Sequence, residues 1–134
     1  MALRHHRQEG IFQIGRSLNW RDGYKISLIG HWKCRHLYTK SAAAHGYQSL
    51  SRYTERARRK NLIETVADFR RCELSHSLLI QIKALAISET TLVMRWMRDN
   101  MDESVDEIRD GLVSIVPHQL FLLLDKPFMP TSPR

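Results

Sequence analysis

The sequence predicts a mainly α-helical protein, a helical bundle preceded by an irregular segment or a small β-hairpin. From residue 49 onward, apolar residues recur at spacings of three, four and seven, the period of a helix with one buried face. Serine-led capping signals stand ahead of the two clearest runs. Before residue 49, glycines at 10, 15, 23 and 30 interrupt every candidate helix, each at a cost of about 1 kcal/mol to a helix interior. An apolar share of 43% and a charged share of 26% over 134 residues are those of one folded domain.

The chain divides into a basic, glycine-punctuated segment (residues 1–48), a helical domain (49–124) and a proline-rich tail (125–134) holding Pro127, Pro130 and Pro133. In the first segment, Ile11–Ile14 and Tyr24–Ile29 are short and rich in β-formers, and Asp22-Gly23 is a turn dipeptide, which together suggest a hairpin. Leu50, Tyr53 and Ala57, then Leu62, Val66 and Phe69, mark one helix or two, with a break near Asn61. Ser75 caps the longest element, which runs to about Asp99 with a stripe of Leu78, Ile82, Leu85, Leu92 and Trp96. A helix this apolar is expected at the centre of its domain, covered on several sides. Ser104-Val105-Asp106-Glu107 is a capping box opening a further helix, whose buried stripe is Val105, Ile108, Leu112 and Ile115. Pro117 ends or kinks it, and Leu120–Leu124 add an apolar turn.

The stretch Leu92-Val93-Met94-Arg95-Trp96-Met97-Arg98, its polar turn Asp99–Glu103, and the Ser104-led acidic start resemble the last helix pair of TetR-type transcriptional regulators. The likeness is best over residues 75–116 and extends from about 50 to 124. It implies a regulatory domain that homodimerises through its C-terminal helices, with Leu92, Trp96, Leu112 and Ile115 at the interface, and that encloses a small-molecule effector. Effector binding would shift a two-state helix arrangement and change the spacing of DNA-contacting ends. The pattern departs from the family at the N-terminus, where no three-helix DNA-binding head is recognisable. A faint helix-turn-helix echo at Ala42–Tyr47 is followed by Arg52 and Tyr53 in place of the expected aliphatic anchor.

Glu89 falls on the apolar stripe between Leu85 and Leu92. A buried carboxylate needs a partner: it is an effector-binding residue, it pairs with an Arg or His of a neighbouring helix, or a shifted register exposes it. Residues 1–60 carry 13 Lys or Arg against three acids, a balance of +10, whereas residues 61–134 hold 8 against 11. That asymmetry suits a second reading, a small basic module binding nucleic acid nonspecifically through its N-terminal half, with Arg52, Arg56, Arg58, Arg59 and Lys60 as contacts. Trp20, Tyr24, Trp32, Tyr38, Tyr47 and Tyr53, interleaved with these cations, suit either base stacking or core packing. A purely structural interaction protein is the third reading.

His31, Cys34, His36, Cys72 and His76 include zinc-ligand types, but His31-x-x-Cys34-x-His36 is no standard spacing, and no metal is expected. No phosphate-binding glycine loop, nucleophile elbow, zincin pair or paired-carboxylate arrangement is present, so neither an enzyme activity nor a cofactor is expected. Two cysteines fit reduced thiols, no signal peptide is complete, and no stretch reaches the roughly 20 apolar residues of a membrane span, so a cytoplasmic protein is expected.

Overall fold

The structure, a computed structural model, describes residues 10–126, apart from the side chains of residues 41, 42 and 45. It contains α1 (Trp20–Lys33), α2 (Arg35–His45), α3 (Tyr47–Glu64), α4 (His76–Arg98), α5 (Val105–Ser114) and α6 (His118–Leu124), with a π-helical turn, Thr65–Phe69, extending α3. Among the described residues there is no strand, only an isolated bridge between Ile14 and Leu18. The Pro-rich tail lies outside the described residues from 127 onward.

The expected hairpin is replaced by α1. Asn19 caps it, its side-chain oxygen accepting from the Asp22 amide at 2.8 Å, and Asp22 adds negative charge to the first turn. Gly23 sits in this helix because nothing larger fits: a Cβ there would lie 2.1 Å from Ile14 Cγ1. A Cβ on Gly10 would lie 2.5 Å from the Gly23 carbonyl oxygen. Two glycines that argue against helix by propensity thus mark a close backbone crossing. The stretch from Gly10 to the Asn19 cap is largely irregular, as expected, and it is docked. Arg70 donates to the Gly15 carbonyl at 2.8 Å, and Arg16 donates to the Thr65 hydroxyl at 3.0 Å.

Helices α3 and α4 pack together and run antiparallel, since Arg58 meets Glu89 while Tyr47 lies beneath Arg98 near the opposite ends. α3 runs through Asn61 unbroken, because the Asn61 amide is spent on the Phe12 carbonyl and its oxygen on Arg58. Gly46 alone, at φ 82°, separates α2 from α3, so the Ala42–Tyr47 echo is a helix junction without a multi-residue turn. α1 packs on α5, and α6 packs on α4. Ile14, Trp20, Tyr24 and Leu28 share one hydrophobic cluster with Leu62, Leu85, Leu112 and Leu124. Trp20 closes it by donating its indole N–H to the Phe121 carbonyl at 3.2 Å.

The Ser75 cap is present, accepting from the Leu78 amide at 3.1 Å. The capping box is complete: Ser104 accepts from the Glu107 amide at 3.1 Å, and Glu107 accepts from the Ser104 amide at 3.0 Å. Replacing Ser104 by Ala should lower stability by about 1 kcal/mol. A thermal melt indistinguishable from that of the parent would remove the cap from the account.

Helix α4 departs from expectation on its outer side. Leu78, Ile82, Leu85 and Trp96 are buried, but Leu79, Ile80 (56% exposed) and Ile87 (41% exposed) face outward, so the helix is covered on one side only. By length and composition α4 could cross a membrane, where the sequence reading expected no such stretch. Its inner face is built into the bundle and holds a charged pair, an arrangement consistent with a soluble protein.

Candidate functional site

Three helices bring polar side chains into the core, two of them charged. Glu89, on the inner stripe of α4, is 2% exposed, and Arg58 of α3 is equally buried. The pair is bidentate: Arg58 Nε donates to Glu89 Oε1 at 2.7 Å, and its second terminal nitrogen donates to Oε2 at 3.1 Å. The Tyr24 hydroxyl of α1 donates to Glu89 Oε2. The remaining Arg58 nitrogen donates to Asn61 Oδ1 at 2.6 Å and to the Ile11 carbonyl at 2.9 Å. Arg58 and Glu89 therefore satisfy each other, while Asn61 and Arg58 tie the N-terminal stretch to α3.

Burial, followed by the neighbouring Glu89 charge, pushes the Tyr24 phenol well above its usual value of 10, so it remains a donor. Burial is the largest influence on Arg58 and opposes its charge, but the charge and hydrogen bonds of Glu89, with Tyr24, together outweigh it and raise the guanidinium's pKa. Glu89, Arg58 and Tyr24 are hydrogen-bonded to one another, so the cluster forms a clasp joining α1, α3 and α4. Of the sequence alternatives for Glu89, the Arg partner is the one found.

The clasp forms one wall of a cavity of about 40 Å³, lined also by Ser27, His31, Thr90 and Met94. The His31 ring donates from Nδ1 to the Ser27 carbonyl at 2.8 Å and stacks on Tyr38, centroids 4.7 Å apart. The cavity has room for a few waters, whereas metabolite sites are roughly 300–1,000 Å³. Among the described residues no three metal-ligating side chains gather, and Cys34 and Cys72 are both free thiols.

The other sequence-predicted residues separate. Arg58 must be removed from the nucleic-acid set: it is turned inward because Glu89 faces it across the helix pair. Arg52, Arg56 and Lys60 are exposed, and Arg59 is half-buried. Trp96 (2% exposed) and Leu112 (1%) are corrected as interface anchors, since this chain's own core already buries them. Trp96 also donates to the Glu103 carbonyl at 2.8 Å, pinning the turn into α5. Leu92 is half-buried and Ile115 is 39% exposed, and both line an open groove of about 670 Å³ between α4 and α5. The aromatics divide likewise: Trp20, Tyr24 and Tyr38 are core, while Trp32 lies beneath Arg35 and Tyr53 faces outward.

Sequence reasoning missed Ile80 and Ile87, whose signal is the row Ile80, Ala84, Ile87 and Thr91 at spacings of four, three and four. It also missed Tyr24 and Asn61 as partners in the clasp, for which the sequence carries no signal. No protein family, curated protein or solved structure matches the chain.

Proposed function

We propose that this chain is the regulatory body of a TetR-like transcriptional regulator, cytoplasmic and acting as a homodimer. One observation carries the reading: the longest helix, α4, leaves an apolar stripe of Ile80 and Ile87 uncovered, with Ile115 across the groove beside it. Exposed aliphatic rows of this kind on a folded bundle are normally covered by a partner. The sequence resemblance over residues 75–116 supports this, since it implies a dimer interface on the same helices.

A second copy suits the groove better than an unrelated chain. Arg95 and, one turn on, Asp99 line it together with Glu103, and among the described residues none of the three makes an ion pair. A twofold-related copy would bring a second Arg95 and a second set of acids to the same groove. In this reading the cavity beside Glu89 is where a small effector enters, and it does so only with movement of α1 against α3 and α4, because about 40 Å³ admits no metabolite as it stands.

Ile87→Glu tests the reading without touching the core. Its expected result is a monomer by light scattering, with helical content and thermal melt close to those of the parent, because the charge stays solvated in a single chain. If the variant keeps the parent's dimeric mass, the stripe is not the interface. Leu112→Glu would not serve, since it would bury a charge inside the monomer.

A further inference from the structure

We propose that the outer face of α3 is a docking ridge for the phosphodiester backbone of a nucleic acid, bound without base recognition. Arg52, Arg56 and Lys60 follow one another at four-residue intervals on the side of the helix opposite the Glu89 clasp. All three are exposed, and they are about 6 Å apart along the axis. Tyr53, 42% exposed, joins them in a shallow surface groove, and Arg59 lies alongside.

The charges on this ridge are unspent. Among the described residues, Arg52, Arg56, Arg59 and Lys60 make no ion pair, whereas the cations at the α1–α5 contact, Arg21, Lys25 and Arg109, are paired with Asp106 and Asp110. The helix's own acids bound the ridge without breaking it: Glu55 is about 100° round from Arg56, and Glu64 is about one turn beyond Lys60. A membrane-lying helix presents large aliphatic groups beside its cations. The exposed large apolar side chains of α3 reduce to the aromatic Tyr53. The arginine that is held rigid, Arg58, points into the core, and no side-chain hydrogen bond among the described residues buttresses the outward ones. Such cations attract phosphate on any sequence and fix no register on it.

Fluorescence anisotropy of the full chain with a labelled random-sequence DNA duplex, and separately with labelled single-stranded RNA, tests the ridge between about 50 and 200 mM salt. The parent should bind, lose affinity steeply with salt, and be displaced by any competitor sequence; the tighter of the two probes identifies the source of the phosphodiester. Combining Arg52→Ala, Arg56→Ala and Lys60→Ala should weaken duplex binding by about tenfold or more and flatten the logarithmic salt slope by about 2.7. Arg56→Glu alone should act in the same direction. A control with Lys33→Ala, Lys40→Ala and Lys83→Ala removes equal charge elsewhere and should retain most of the binding. The proposal is overturned if the ridge variant binds like the parent, if the control loses as much, if one sequence resists competitor, or if the chain binds phosphatidylserine vesicles and neither nucleic acid. The ridge variants leave Ile80 and Ile87 untouched, so this result stands apart from the oligomeric state.

Discussion

Glu89→Ala should lower the unfolding free energy by about 3–5 kcal/mol, a large part of the roughly 5–15 kcal/mol available to a domain. The substitution leaves the Arg58 guanidinium 2% exposed and without its counter-charge, and it removes the acceptor of the buried Tyr24 hydroxyl. The loss comes mostly from stranded polar groups rather than from the pair's own attraction. Glu89→Leu combined with Arg58→Met should therefore recover much of the stability, because no buried charge remains. Recovery should be incomplete, since Arg58 also holds Asn61 and the Ile11 carbonyl. Urea unfolding of the parent and both variants measures this. Equal stability of Glu89→Ala and the parent would mean that the clasp contributes nothing to the fold.

Gly23→Ala should destabilise by about 1–3 kcal/mol, although alanine is favoured over glycine in a helix by about 1 kcal/mol. The new methyl would sit 2.1 Å from Ile14 Cγ1 and 2.8 Å from Cδ1, and Ile14 is fully buried. Gly111→Ala, also within a helix but with nothing near its Cβ, should raise stability by up to about 1 kcal/mol. The same substitution is thus expected to have opposite signs in α1 and α5, and paired thermal melts read both. In an Ile14→Ala background the Gly23→Ala penalty should shrink, because the two sites are in contact. Similar penalties in both backgrounds would show that the crossing is looser than described.

The elements that were legible in the sequence are those whose signals are local. Ser75 and the Ser104/Glu107 box lie within a turn of the amides they cap, so their spacing alone places the starts of α4 and α5. α1 was not legible, because propensity counts Gly23 and Gly30 against a helix while the reason for Gly23 lies at Ile14 and Gly10, outside that helix. Asn19, three residues before Asp22, was the available cue, and the Asp22-Gly23 turn dipeptide obscured it. The rotation of α3 was missed for a related reason. An arginine reads as solvent-facing until a carboxylate 31 residues away is known to meet it. Glu89 itself was legible as an anomaly on its stripe, but its partners were not, since pairing across helices leaves no periodic trace. The uncovered side of α4 was obscured by the richness of its apolar pattern, which reads the same whether the cover is this chain or another.

The homodimer is the claim on which the functional reading turns, and light scattering on the full chain over a dilution series tests it most directly. The reading predicts a mass of twice the 15.7 kDa chain at high concentration, falling toward one chain only on strong dilution. A mass of 15.7 kDa at every concentration would contradict it.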